Sequence, residues 1–222
     1  MATPQWQSFG GTMTSSALLI IGAGGHGRVV ADAAASAGWT VAGFLDDGIS
    51  PGTMVSGIPV LGPATALASR RSEFNQVIVA VGDATTRLGL IKHCMDAGLE
   101  VPVLVHQSAV VSSHAKLGAG TVVLAQAAIN SGARIGMGVI LNTGATVDHD
   151  CVLGDGVHVC PGAHLAGDVE IGKGSWIGIG SCVREGTRIG ASVTVGAGST
   201  VVADIADRQT VMGVRATARA TV

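Results

Sequence analysis

Tyrosine is absent from the 222-residue sequence, and tryptophan and phenylalanine supply three residues each. A core built on aromatic packing is excluded, so small aliphatic side chains must fill the interior. Charge is scarce as well: 13 Lys plus Arg face 15 Asp plus Glu, for a formal net charge of -2. Without a Lys/Arg block, nucleic acid is excluded as the main partner. No apolar run is long enough for a transmembrane helix, which needs about 18 or more residues. Residues 1–16 lack the positive n-region and apolar h-region of a signal peptide and are expected to form a flexible leader. The four cysteines, Cys94, Cys151, Cys160 and Cys182, are too few and too scattered for a disulfide scaffold. A reducing, cytoplasmic setting is the expectation.

What is abundant is glycine, at 34 residues, about twice the usual share and without the period of collagen. The first cluster, GAGGHG at 22–27, follows the apolar run Ala17–Ile21 and opens a helix-like segment carrying Val29, Val30, Ala33 and Ala34. Trp39–Leu45 then reads as a second strand ending in Asp46 and Asp47. Strand, glycine turn, helix and strand make a Rossmann-type unit over residues 17–102, with a further strand at Val77–Val81 and a helix at Ala84–Ala97. Leu88, Ile91 and Met95 are the expected apolar stripe of that helix. The glycine turn can bring backbone N–H groups to a phosphate at a helix start, or simply close a tight turn. The domain is too short for a full dinucleotide site, which disfavours nicotinamide.

The second signal is a repeat. Stepping by six from Val111 to Val201 meets sixteen consecutive Leu, Ile or Val residues, and Val105 extends the series upstream. A period of six fits neither a helix nor plain alternation; it is the signature of a hexapeptide parallel β-helix. Two positions before each aliphatic residue the side chain is mostly small, as at Ala115, Ala133, Cys151 and Ala163. Glycine follows the aliphatic residue at 118, 136, 154, 172 and 190, a spacing of eighteen, so three hexapeptides form one coil. One corner is therefore expected to need a backbone conformation closed to residues with a Cβ. The prediction is a β-helix of about five coils over 103–205, capped at one end by the first domain and at the other by a C-terminal segment, 206–222.

With both parts in view, the chain resembles the sugar O- and N-acetyltransferases of the left-handed β-helix superfamily. The resemblance rests on LLIIGAGGHGRVV at 18–30, FLDD at 44–47, VGD at 81–83, NTGATVDHD at 142–150, HVCPGAHLAGDVEIGKGSWIGIGS at 158–181 and the hexapeptide array. It implies an acetyl-CoA-dependent N-acetyltransferase acting on a nucleotide-linked amino sugar, a UDP- or GDP-linked 4-amino-4,6-dideoxy hexose, in surface glycan synthesis. A sialic acid or other sugar O-acetyltransferase and a non-enzymatic hexapeptide scaffold are the alternatives. It further implies a homotrimer with acetyl-CoA in the groove between neighbouring prisms, His149 as base and Asp150 as its carboxylate partner. Relatives often carry Glu at the latter place. His158, Gly167 and Ile179 are implied on the acetyl-CoA side, and Gly24, Gly25, His26, Asp46 and Asp47 on the sugar-nucleotide side.

The residues carry part of this independently. His149 lies two places after the internal Val147, at a corner outside the core, beside a carboxylate. A histidine near its ordinary pKa suits removal of a proton from an acceptor, although a solvated surface histidine has the same pattern. His149, Cys151, His158 and Cys160 carry zinc-type ligand identities, but Cys151 falls in the small interior series and the histidines do not, so no metal is expected. His106, His114 and His164 have no supporting context.

Overall fold

The computed structural model describes residues 17–70 and 73–213; residues 1–16, which include the expected leader, and 214–222 lie outside them. Apolar β1 (Leu18–Ile21) is an interior strand of a five-stranded sheet, flanked by parallel β2 (Val41–Leu45) and β5 (Gln76–Val79). Two further strands complete it: β4 (Ile58–Gly62) pairs parallel to β2, and the short β3 (Met54–Val55) pairs antiparallel to β4. The sheet order is β3-β4-β2-β1-β5. Helix α1 (Gly25–Ser36) covers one face with Val30, Ala31, Ala33 and Ala34, and α2 (Ala84–Asp96) follows β5. Strand order reverses between β1 and β5, so the loops after these two strands form the crevice where open α/β sheets take ligands.

The stripe expected on α2 is shifted. Its buried residues are Arg87, Ile91 and Cys94, whereas Met95 is exposed. The reason is the surface that α2 meets. It packs on a corner of the second domain made of glycines, where the tips of Leu88 and Ile91 fill the space at Gly120, Gly138 and Gly156.

From Leu104 onward the chain winds as a parallel β-helix with three faces. The first face has seven strands, from Leu104–Val105 to Thr210–Val211; the second has six, from Val110–Val111 to Thr200–Val201; the third has five, from Lys116–Leu117 to Arg188–Ile189. Up to Val201 each strand pairs with the one eighteen residues on, as Ile135 with Leu153 and Leu153 with Ile171, and the last pairing, Val195 with Val211, shortens to sixteen. The inward ladder and the small series form one continuous core that also takes Val139, Val157, Val169 and Val193. The pattern runs past residue 205: Ile205 bridges to Ile189, and Thr210–Val211 pairs with Thr194–Val195. Residues 206–213 therefore extend the prism instead of capping it.

The first domain does not cap an end either. It lies along the first face, whose outward residues Leu104, Val122 and Ile140 join the α/β core with Val30, Phe44 and Ile78. Arg87 clasps the two domains. Its guanidinium is buried and donates to the carbonyls of Val81 and Gly82 on one side and Gly138 and Gly156 on the other, at 2.7–2.8 Å.

The glycines at 118, 136, 154 and 172 serve a different purpose from the one expected. The left-handed conformation falls two residues later, at positions such as Gly120, Gly138 and Gly144, and even at Asp150 and Asp168. Gly136 is required because a Cβ there would stand 2.7 Å from the Asp155 nitrogen of the next coil. Gly144, at φ 66, faces open space. Gly144→Ala should therefore cost only the left-handed penalty of about 1–2 kcal/mol. Gly136→Ala should cost more, because two backbones must separate. Urea midpoints of the two variants test the ranking.

Candidate functional site at the prism corner and the domain crevice

His149 occupies the corner between the second and third faces, in the turn that joins Thr146–Val147 to Val152–Leu153. Its side chain is exposed, and Nδ1 lies 3.0 Å from Asp150 Oδ2. The shorter Asp side chain reaches because Asp150 takes a left-handed conformation, φ 58, which Asp tolerates better than most residues. Asp148 braces the turn from the other side. Its Oδ1 accepts the His149 N–H and the Asn130 amide, both at 2.7 Å. The bond to Asp150, with Asp148 and Asp168 near, holds the His149 pKa above the ordinary imidazole value.

The ring lies over Gly167 of the next coil. A Cβ there would stand 2.5 Å from Cε1 and Nε2. The Gly167 N–H makes no hydrogen bond among the described residues, so a free donor sits beside the unpartnered edge of the imidazole. Cys151 lies in the core and directs its thiol to the Ala166 carbonyl, so His149, Cys151, His158 and Cys160 do not converge. Among the described residues no three His, Cys, Asp or Glu side chains are arranged to hold a metal ion.

His158 belongs to the first face. It is buried against Trp176 with ring centroids 4.2 Å apart, and its Nε2 lies 3.1 Å from the Asn142 amide nitrogen. An amide nitrogen only donates, so Nε2 accepts and the proton is assigned to Nδ1. That Nδ1 and His26 Nε2 are both buried without a partner among the described residues, and the two ring centroids lie 6.4 Å apart. Burial, with Arg87 nearby, lowers His26 to about 4; burial, then His26 and Arg87, lowers His158 to about 3. Both imidazoles are neutral at pH 7. Beside them a cleft of about 380 Å³ runs between the start of α2, at Gly82 to Thr85, and His158, Trp176 and Thr194.

The glycine turn splits into two roles. A Cβ on Gly22 would meet the Ala80 carbonyl at 2.6 Å, and one on Gly27 would overlap the Gly22 carbonyl. The fold itself requires these two. Gly24 and Gly25 face open space at the uncapped start of α1. Asp46 holds the turn, accepting from Ala23 N–H at 2.8 Å and Gly48 N–H at 2.9 Å, and Asp47 accepts from Ala64 N–H at 2.8 Å. Gly24, Gly25, His26, Asp46 and Asp47 thus lie at the carboxyl ends of β1 and β2, and His26 stands beside His158. Ile179 is exposed at the corner between the first and second faces.

Sequence reasoning missed Asn142, Asn130, Trp176 and Arg87. The outward apolar run Leu104, Val122, Ile140 was the legible signal: it marks the docked face, and His158 and Trp176 are the next two rungs of that ladder.

Known proteins share this arrangement. Residues 17–93 match the PglD N-terminal domain family, and 168–203 match the bacterial transferase hexapeptide family of six repeats. The acetyltransferase domain of PglB from Neisseria gonorrhoeae, solved with acetyl coenzyme A, is 46% identical, with a TM-score of 0.86 over 90% of this chain and 97% of that one. The chain belongs to the hexapeptide-repeat sugar acetyltransferases of the left-handed β-helix fold. PerB from Caulobacter crescentus, solved with CoA and GDP-perosamine, is 39% identical, with a TM-score of 0.86 over 91% and 96% of the two chains. WeeI from Acinetobacter baumannii is 27% identical, with a TM-score of 0.82 over 89% and 96%. No curated protein sequence matches. Among the described residues of this family member, no helix is long and apolar enough to cross a membrane.

The buried His158 makes stability depend on pH. Unfolded, it takes up a proton below about 6.5; folded, it stays neutral down to about 3. Its contribution is complete above pH 6.5 and is lost as pH falls through that window, at up to about 1.4 kcal/mol per pH unit. In His158→Gln, urea unfolding between pH 4.5 and 7 should show a slope smaller by that one proton.

Proposed function

We propose that the protein is an acetyl-CoA-dependent N-acetyltransferase that acts on the amine of a nucleotide-linked amino sugar. The observation that carries this is His149 on its exposed corner, oriented by Asp150 and seated beside the free N–H of Gly167. PglB and PerB support the substrate class, one solved with acetyl coenzyme A and the other with CoA and GDP-perosamine.

Acyl transfer to an amine needs a base and a donor for the developing oxyanion. In this reading His149 Nε2 takes the proton of the attacking amine, and Asp150 holds Nδ1–H and the resulting imidazolium. The Gly167 N–H donates to the thioester oxygen as the carbonyl carbon becomes tetrahedral. The carbon–sulfur bond then breaks and coenzyme A leaves. Gly24, Gly25 and His26 would meet the phosphates at the start of α1, where the helix dipole favours an anion. Asp46 and Asp47 would meet the nucleoside. His158 and Ile179 are assigned to the acetyl-CoA side.

Geometry favours a composite site. His149 lies on the corner between the second and third faces, and a triangular section puts that corner opposite the first face, where the nucleotide domain is docked. In this reading the base and the sugar-nucleotide crevice of one chain stand on different sides of the prism. A homotrimer with sites between copies removes the difficulty, and sedimentation equilibrium at micromolar protein should give three chains per particle. A monomer that is fully active would reject it.

The catalytic test is thiol release from acetyl-CoA with a panel of UDP- and GDP-linked amino sugars against free sialic acid. The amino sugar nucleotides should be the substrates. His149→Ala should lower kcat by about 10²–10⁴-fold with fold and assembly retained, and Asp150→Asn should cost less. The ascending limb of kcat/KM against pH should lie above 6.5 and should move to lower pH in Asp150→Asn. Turnover in His149→Ala above half of the original, with chemistry rate-limiting, would refute the assignment.

A further inference from the structure

The coil preceding the His149 turn carries Asn130, Ser131 and Gly132 eighteen residues below Asp148, His149 and Asp150. Asn130 fixes the Asp148 carboxylate, and the Ser131 carbonyl accepts the Asp150 N–H at 3.0 Å. Gly132 lies under the Asp150 side chain: a Cβ there would overlap Asp150 Oδ1 and stand 3.2 Å from its Cγ. We propose that Gly132 is a positioning residue for the base, whose missing side chain leaves the space in which the Asp150 carboxylate stands against His149 Nδ1.

The argument is steric. Asp150 has a fixed backbone, held by the Ser131 carbonyl and by its left-handed conformation. Only its two side-chain torsions can respond to a methyl group at 132, and turning them takes Oδ2 away from Nδ1. Asp148 does not respond, because Asn130 and the His149 N–H hold it from elsewhere. The charged groups around His149 are Asp148, Asp150 and Asp168. The coil beneath contributes the uncharged Asn130 and Ser131, so a change at 132 reaches the imidazole through Asp150 alone.

The inference rests on His149 being the base, but its test does not need turnover. The His149 imidazole is titrated by NMR in the full-length protein, in Gly132→Ala, Asp150→Asn and the double variant. Gly144→Ala serves as the control for left-handed backbone strain in open space. Gly132→Ala should lower the His149 midpoint as far as Asp150→Asn does, and the double variant should titrate with Asp150→Asn. Gly144→Ala should leave the midpoint unmoved. Gly132→Asn should reproduce the shift with a residue type that accepts the left-handed conformation, which covers a failure of Gly132→Ala to fold. A wild-type midpoint in Gly132→Ala and Gly132→Asn, or a further additive shift in the double variant, would overturn the proposal. Loss of activity in His149→Ala is read separately, so a failure of the base assignment is distinguishable from a failure at Gly132.

Discussion

Everything in this molecule depends on one coil of eighteen residues stacking in register on the next. A parallel ladder with this repeat brings identical positions into contact along three faces, so each choice of side chain is made against its own copy one coil away. Inside, the result is a continuous column of Leu, Ile and Val alternating with small residues. At the corner between the third and first faces, successive backbones come so close that Gly136, Gly154 and Gly172 have no space for a Cβ. The same stacking places Gly132, Asp150 and Asp168 in one column, and Asn130 beneath Asp148.

The corner after each aliphatic pair is therefore a site-building position as well as a turn. At most corners glycine takes the left-handed conformation. At 150 and 168 an Asp takes it instead, at a cost that glycine would avoid. Both lie within the field of His149. Gln126, Ser192 and Arg208 take it at other corners, so left-handed strain is spread along the prism while the surrounding ladder over-determines the backbone.

The α/β domain uses the prism as a wall. Leu104, Val122 and Ile140 give it an apolar seat, and Arg87 closes the seam by answering four carbonyls from both sides. Loss of solvent, and to a lesser degree that buried cation, keeps His26 and His158 neutral. The environments of His149 and His158 are therefore opposite in kind. His149 is raised and exposed among carboxylates, suited to receiving a proton. His158 is buried and neutral, suited to donating a hydrogen bond from a fixed nitrogen. One stands on a face of the prism and the other at a corner away from that face.

The sequence by itself determined the β-helix, its period, its inward ladder and the glycine-turn α/β domain, because these are local or strictly repeating patterns. It also marked His149 and Asp150, whose phase puts them outside the core. It did not show that Met95 leaves the α2 interface and Arg87 enters it, since a helix stripe records only that one side is apolar, not which surface it meets. It placed the left-handed corners two residues early, because a glycine needed for close approach and a glycine needed for positive φ look identical in a sequence. Whether the α/β domain sat at an end or along a face, and which of Gly22, Gly24, Gly25 and Gly27 the fold needs, were decided only by tertiary packing. There the distance from a missing Cβ to its neighbour's backbone separates a structural glycine from one left free for a ligand.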